Sequence, residues 1–181
     1  THVSDIVDAA VMDAAPNLKV VAQFGVGYDN VDVAAANARG IAVANTPGVV
    51  SERTADEAFA LLMAMARRVH NLPQIVKRGE WGDFDPVGLL GTDSHHKTLG
   101  IVGMGRIGSE VAKRASGFSM EVLYYSRNRR DEEFGATYVD SLEELLERSD
   151  FVSLHNPLNA ETTGLMSTEQ FKSMKKSAFL I

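Results

Sequence analysis

The segment Gly103-Met104-Gly105-Arg106-Ile107-Gly108 follows the apolar run Leu99-Gly100-Ile101-Val102 with no spacer and opens a helix-forming stretch, Arg106 to Ser116. No other segment constrains the backbone so tightly. Glycine at the first position permits a sharp turn out of a strand, at the second it lets another group approach the main chain, and at the third it lets the helix pack close to the strand. Strand and helix then alternate: Glu121 to Tyr125 is a strand, a helix runs to about Arg148, Phe151 to Leu154 is a strand, a helix runs to about Met174, and Ala178 to Ile181 begins a further strand. Ser141 with Glu144 and Ser167 with Gln170 form the capping boxes of the two helices. This alternation specifies an α/β fold, a doubly wound parallel sheet of Rossmann type with helices on both faces.

The N-terminal part is organised separately. Leu18 to Phe24 reads as a buried strand running into the turn Gly25-Val26-Gly27. Asn30 is expected to cap a helix reaching about Arg39, with Gly40 in the left-handed position after it, and Ile41 to Ala44 is a second strand closed by Asn45-Thr46-Pro47-Gly48. Ala55, Ala58, Phe59, Leu62, Met65, Ala66 and Val69 recur at helical spacing within a long amphipathic helix expected from about Glu52 to Arg78, which Pro73 should kink or split. Residues 79–97 read as an irregular surface connection. The expected division is 1–49 and 50–181. An apolar Ala178-Phe179-Leu180-Ile181 and a start without Met lead us to expect that this is part of a longer chain.

Several function classes fall away on composition. A net charge of −6 disfavours a nucleic-acid binder held by phosphate contacts. With no cysteine, disulfides and thiolate metal sites are excluded. No apolar run approaches the ~20 residues that cross a bilayer, and Thr1-His2-Val3-Ser4-Asp5 reads as neither a signal nor a transit peptide, so a cytoplasmic location is expected. His95-His96 lacks a visible third ligand and reads as a solvated pair rather than a metal site.

In its strand–turn–helix context the glycine motif is the fingerprint of a dinucleotide pyrophosphate site. Gly103, Gly105 and Gly108 shape the turn, and the free N–H groups of Arg106 and Ile107 face an anion at the positive end of the helix dipole. About 20 residues on, an Asp or Glu would take the ribose 2′-hydroxyl of NAD. This chain instead has Tyr125-Ser126-Arg127-Asn128-Arg129-Arg130, with no acid before Asp131. A hydroxyl followed by guanidinium groups suits a 2′-phosphate, so Ser126, Arg127 and Asn128 favour NADP over NAD. The alternative for this stretch is a solvated basic turn.

Blocks distributed over the whole chain resemble the D-isomer-specific 2-hydroxyacid dehydrogenases. They are Gly25-Val26-Gly27-Tyr28-Asp29-Asn30-Val31-Asp32, Asn45-Thr46-Pro47-Gly48, Thr54-Ala55-Asp56-Glu57, Lys97 to Gly108, and His155-Asn156-Pro157-Leu158 with Glu161-Thr162. Within that family, Tyr124-Tyr125-Ser126-Arg127 is most similar to glyoxylate and hydroxypyruvate reductases, several of which use NADPH. The resemblance implies a two-domain enzyme in which residues 1–49 are the last part of a smaller, flavodoxin-like substrate domain, 50–181 belong to the NAD(P)-binding domain, and the helix after Ser51 forms a homodimer. It implies that the amides of Val26 and Gly27 hold the substrate carboxylate, although the same residues could form a simple strand-ending turn. It also implies that Asn156, Pro157 and Thr162 border the cofactor, and that His155 is structural or cofactor-adjacent. The family's catalytic Arg, Glu and His fall past Ile181, so no catalytic residue is assigned. Where the family often has Gly before Lys97, this chain has His96.

The expected activity is hydride transfer between NADP or NAD and a small 2-keto or D-2-hydroxy acid of the glyoxylate and hydroxypyruvate class. Two alternatives stay open: a non-catalytic NAD(P)-binding corepressor or scaffold on the same fold, and a phosphoglycerate-type dehydrogenase, which an acid in place of Ser126 would have favoured.

Overall fold

A computed structural model describes residues 1–83 and 87–181. The chain forms two compact units, one of Thr1–Val50 with Pro157–Thr163 and the other of Ser51–Asn156 with Gly164–Ile181.

In the first unit, α1 (Ala9–Asp13) is capped by Asp8, whose side chain accepts from the Val11 amide. Strands β1 (Val20–Ala22) and β2 (Ala42–Ala44) pair in parallel with Val21 opposite Val43, and α2 (Val33–Ala38) connects them. Val7, Met12, Val21, Val31, Ala36 and Ile41 form the core. The helix expected to start at Asn30 is instead capped by Asp32, which accepts from the Ala35 amide. Asn30 is otherwise engaged: its side-chain amide donates to the carbonyls of His2 and Asp5 at 3.2 and 2.7 Å. Gly40 takes the left-handed conformation expected of it, with φ +64°.

The second unit begins with α3 (Ser51–Ala66), followed by a turn and α4 (Leu72–Lys77). The stretch expected to run to Arg78, kinked or split at Pro73, is split into two helices. Pro73 sits in the first turn of α4, where its missing N–H costs nothing. The break itself lies earlier, at Arg68, which has φ +56°. The Thr92 amide donates to the terminal Ala66 carbonyl at 2.8 Å, and the Arg68 guanidinium donates to the Gly88 carbonyl at 2.8 Å, so the downstream connection caps the helix. Ala55, Phe59, Leu62 and Ala66 are buried as their spacing implied, whereas Met65 and Val69 are exposed. The connection is irregular where described; the part of that expectation covering residues 84–86 lies outside the described residues.

Strands β3 (Thr98–Val102), β4 (Glu121–Tyr125), β5 (Thr137–Tyr138), β6 (Phe151–Leu154) and β7 (Phe179–Leu180) form one wholly parallel sheet in the order β5-β4-β3-β6-β7. Between them run α5 (Arg106–Ser116), α6 (Leu142–Arg148) and α7 (Thr168–Ser173). Ser141 caps α6, and at α7 both halves of the Ser167–Gln170 box are formed. The short β5 had no signal in the sequence.

Side chains of the central strands alternate between two cores. Leu99, Ile101, Val122, Tyr124 and Phe151 pack with Val111, Ala112 and Ala115 of α5 and with Phe59 and Leu62 of α3. Val102, Leu123 and Val152 pack with Leu145 and Leu146 of α6. A sheet covered on both faces needs strands that are apolar nearly throughout, which is how β3 and β6 read, with Ser153 the buried polar exception in β6. Gly100 belongs to this packing: a Cβ there would lie 2.5 Å from a Leu145 methyl, so glycine sets how closely α6 approaches β3. Among the described residues no helix is long and apolar enough to cross a membrane.

Candidate functional site: a glycine turn at the carboxyl ends of the sheet

The strand order reverses at β3, which has β4 on one side and β6 on the other. At such a switch point the loops leaving adjacent strands diverge and open a crevice beyond their carboxyl ends. Residues 103–108, 126–128 and 155–156 all lie there, following β3, β4 and β6 respectively.

The glycines differ in what demands them. Gly103 has φ +97°, and a Cβ on it would lie 2.7 Å from the Asn156 amide nitrogen and 2.8 Å from the His155 carbonyl carbon. Its N–H donates to the Tyr125 carbonyl at 2.8 Å, and the His155 amide donates to the Val102 carbonyl at 2.7 Å. The turn is thus clamped between the ends of β4 and β6. A Cβ on Gly108 would strike the Gly103 carbonyl, so the third glycine brings the helix against the turn. Gly105 has φ −84°, and among the described residues nothing beyond its own chain neighbours comes within 4 Å of where its Cβ would be. Nothing in the fold requires glycine there, and what its small size provides is open space over the start of α5.

That helix start is built for an anion. Gly105 is the N-cap and supplies no side-chain acceptor, and the first turn contains no acidic residue. The early N–H groups have no intrahelical acceptor, and the aligned peptide dipoles place positive potential there. Arg106 adds a cation at the end of the helix where cations are disfavoured, and it forms no ion pair among the described residues. Met104 is buried at 1% exposure and anchors the turn from beneath. The cradle therefore fits a diphosphate in shape and in charge.

Ser126 joins the second loop to the first, since its Oγ accepts from the Met104 amide at 2.7 Å. Its own O–H proton remains available to a further acceptor. Arg127 and Asn128 follow on an exposed turn. The support beneath that turn, a cluster of Tyr124, Arg129 and Glu133, was not anticipated from the sequence. Tyr124 is wholly buried, its Oη donates to Glu133 Oε1 at 2.8 Å, and it accepts from the Arg130 amide at 3.0 Å. Burial raises the Tyr124 phenol pKa, and the hydrogen bond from Arg129 lowers that of the Glu133 carboxyl. Tyr124 within the apolar stretch of β4 is the one signal that could have pointed there, because a buried phenol needs a partner.

On the β6 side, Asn156 meets the Gly103 turn through its backbone. His155 Nε2 is 2.8 Å from Oγ of Ser153, itself a buried residue, and burial holds the imidazole pKa below its usual value. Pro157 and Thr162 close a separate turn: Thr162 Oγ1 donates to the Pro157 carbonyl at 2.5 Å, and Asn159 Oδ1 accepts from the Thr162 amide at 3.0 Å.

In the first unit, the loop after β1 has its carbonyls tied down. Gly25 O accepts from the Thr46 amide at 3.0 Å, Val26 O from Asn45 Nδ2 at 2.8 Å, and Gly27 O from Gln23 Nε2 at 3.4 Å. Gln23 is 2% exposed and braced by Asn30 at 3.0 Å. Three consecutive carbonyls held by donors of the same unit orient their peptide planes, which directs the intervening N–H groups of Val26 and Gly27 the other way.

His95 and His96 contact edge to face at 5.3 Å. Among the described residues no group of three or more His, Cys, Asp or Glu could hold a metal ion. His96 has φ +58°, which explains why glycine suits the position.

Residues 59–181 match the family described as D-isomer specific 2-hydroxyacid dehydrogenase, NAD binding domain. A glyoxylate reductase of Korarchaeum cryptofilum is 54% identical over 182 residues, covering 98% of this chain and 54% of that protein. Among solved structures, the D-lactate dehydrogenase of Aquifex aeolicus complexed with NAD and lactic acid is similar with a TM-score of 0.92 at 31% identity, over 99% of this chain and 54% of that one. An acyclic imino acid reductase (Bsp5) in complex with NADPH and D-Arg gives a TM-score of 0.89 at 29% identity, over 97% and 56%. The chain thus spans little more than half the length of the proteins it matches. With its glycine turn, its switch point and these relatives taken together, the chain belongs to the D-isomer-specific 2-hydroxyacid dehydrogenase family.

Proposed function

We propose that the whole protein interconverts a 2-keto acid of the glyoxylate and hydroxypyruvate class and the corresponding D-2-hydroxy acid, with NADP favoured over NAD. Residues 50–181 serve as dinucleotide-binding domain and 1–49 as part of the substrate domain. The observation that carries this reading is the uncapped start of α5 beneath the open space at Gly105. Gly103, Gly105 and Gly108 shape that cradle, and the Arg106 and Ile107 amides donate to the pyrophosphate. Ser126, Arg127 and Asn128 receive the adenosine ribose and its 2′-phosphate, with Asn156, Pro157 and Thr162 bordering the cofactor. When bound, the nicotinamide ring supplies or accepts the hydride.

The Val26 and Gly27 amides bind the substrate carboxylate and so orient the carbonyl carbon, an effect that can be worth several kcal/mol. By the family resemblance the groups that move the proton fall past position 181, and His155 is assigned none of that work. A homodimer and a cytoplasmic location belong to the same proposal. Exposure of Leu61 and Met65 on α3, at 48% and 42%, supports the dimer.

Calorimetric titration of NADPH and of NADH into the protein tests the cofactor reading. Tighter binding of NADPH is expected. Equal binding, or tighter NADH, would overturn the 2′-phosphate assignment, and no binding of either would remove the oxidoreductase reading altogether. Reduction of glyoxylate or hydroxypyruvate by the whole protein tests the substrate class.

A further inference from the structure

The arginines after β4 are not equivalent. Arg129 faces Glu133 with two nitrogens, Nε to Oε1 at 2.9 Å and Nη2 to Oε2 at 3.3 Å. Its guanidinium also lies 5.9 Å from the Tyr138 ring centroid, and that ring packs on Tyr124 at 5.4 Å. Glu133 Oε1 accepts from the Tyr124 phenol as well, and the phenol oxygen accepts from the Arg130 backbone. The turn from Ser126 to Glu133 is therefore closed at one end on a buried hydroxyl and at the other on the Met104 amide of the glycine turn. The carboxylate in this network is one-quarter exposed and its arginine two-thirds exposed. Arg129 is thus held on an internal acid although it lies three residues from Ser126 and faces water.

A guanidinium fork engaged by a carboxylate has its charge balanced and its donors directed. We propose that Glu133 is a specificity-determining positioning residue: by holding Arg129, it sets how strongly the 126–130 turn prefers a dinucleotide carrying a 2′-phosphate. This rests on the reading that the turn receives the adenosine ribose. Glu133 touches neither cofactor nor substrate; it acts through Arg129. The native pairing moderates the preference for NADP, and releasing Arg129 strengthens it.

Calorimetric titrations of NADPH and NADH into the native protein, Glu133→Gln, Arg129→Gln and the double variant test this. The Glu133→Gln change keeps the size of the side chain and an acceptor for Tyr124 while removing the charge. The expected result is that Glu133→Gln raises the ratio of NADPH to NADH affinity about fivefold, the scale of an exposed ion pair. In the double variant the ratio should return to within about twofold of Arg129→Gln alone. Tyr124→Phe, which loosens the turn and keeps the ion pair, should weaken both nucleotides by the same factor. A merely structural role for Glu133 would likewise lower both affinities together. An unchanged ratio in Glu133→Gln, or an increase that persists without Arg129, overturns the proposal. Failure of the native protein to bind either nucleotide would overturn the cofactor reading itself, and is distinguishable because it needs no variant.

Discussion

Gly103 and Gly105 are separated by one residue and obey different physics. At Gly103 both φ +97° and the crowding by Asn156 and His155 exclude a side chain, so Gly103→Ala should lower stability by about 3 kcal/mol in chemical denaturation. At Gly105 an added methyl meets nothing. Gly105→Ala should change stability by less than about 1 kcal/mol while weakening dinucleotide binding at least tenfold, measured by calorimetry on the same preparation. Equal losses of stability at the two positions would refute this division. At His96 the left-handed backbone (φ +58°) is held by an exposed non-glycine residue. His96→Gly is therefore expected to raise the unfolding free energy by up to about 1 kcal/mol, read as a higher denaturant midpoint.

Among the elements, the strongest local signals settled the ends of helices. Ser167 and Gln170 were legible as a capping box because the pairing lies within one turn, and both halves form. Ser167→Ala should cost about 1 kcal/mol in chemical denaturation. Asn30 shows the opposite case. Its residue type favours a cap, but a buried Gln23 and the carbonyls of His2 and Asp5 claim its side chain, leaving Asp32 to cap α2. The long helix also failed to continue past Ala66, although its apolar spacing did. Periodicity reports which face could be buried, and it says nothing about a distant amide, here that of Thr92, capping the last carbonyl. Strand β5 left no pattern because two residues are too few to show an alternation.

At the scale of the molecule, the second unit is tied across its sheet by Asp150. Its carboxylate accepts from the Thr98 amide at 3.0 Å and from Lys175 Nζ at 2.9 Å, joining the starts of β3 and β6 to the segment before β7. Burial raises its pKa, but the Thr98 bond and the Lys175 charge outweigh that and leave it below the ordinary carboxylate value. A carboxyl whose pKa is depressed by folding contributes stability that is full above its unfolded pKa, about 4, and is lost as pH falls through the folded value. Asp150→Asn should therefore be less stable at neutral pH and lose less on acidification below about pH 4, in urea midpoints measured against pH. An acid limb identical to the native one would show that the carboxylate contributes nothing.

The parallel α/β class, the place of the glycine turn, the limits of α5, β4 and β6, and the family were all legible from the order of residues alone. All of these depend on short-range pattern: apolar runs, glycine spacing, and caps one turn apart. Which glycine the fold itself needs, the bond from the Met104 amide to Ser126, and the hold of a buried phenol and Glu133 on Arg129 emerge once the chain is packed. Those contacts join residues whose neighbourhood is created by the sheet order, and a polar side chain commits to the partner that burial leaves within reach, which spacing along the chain cannot specify.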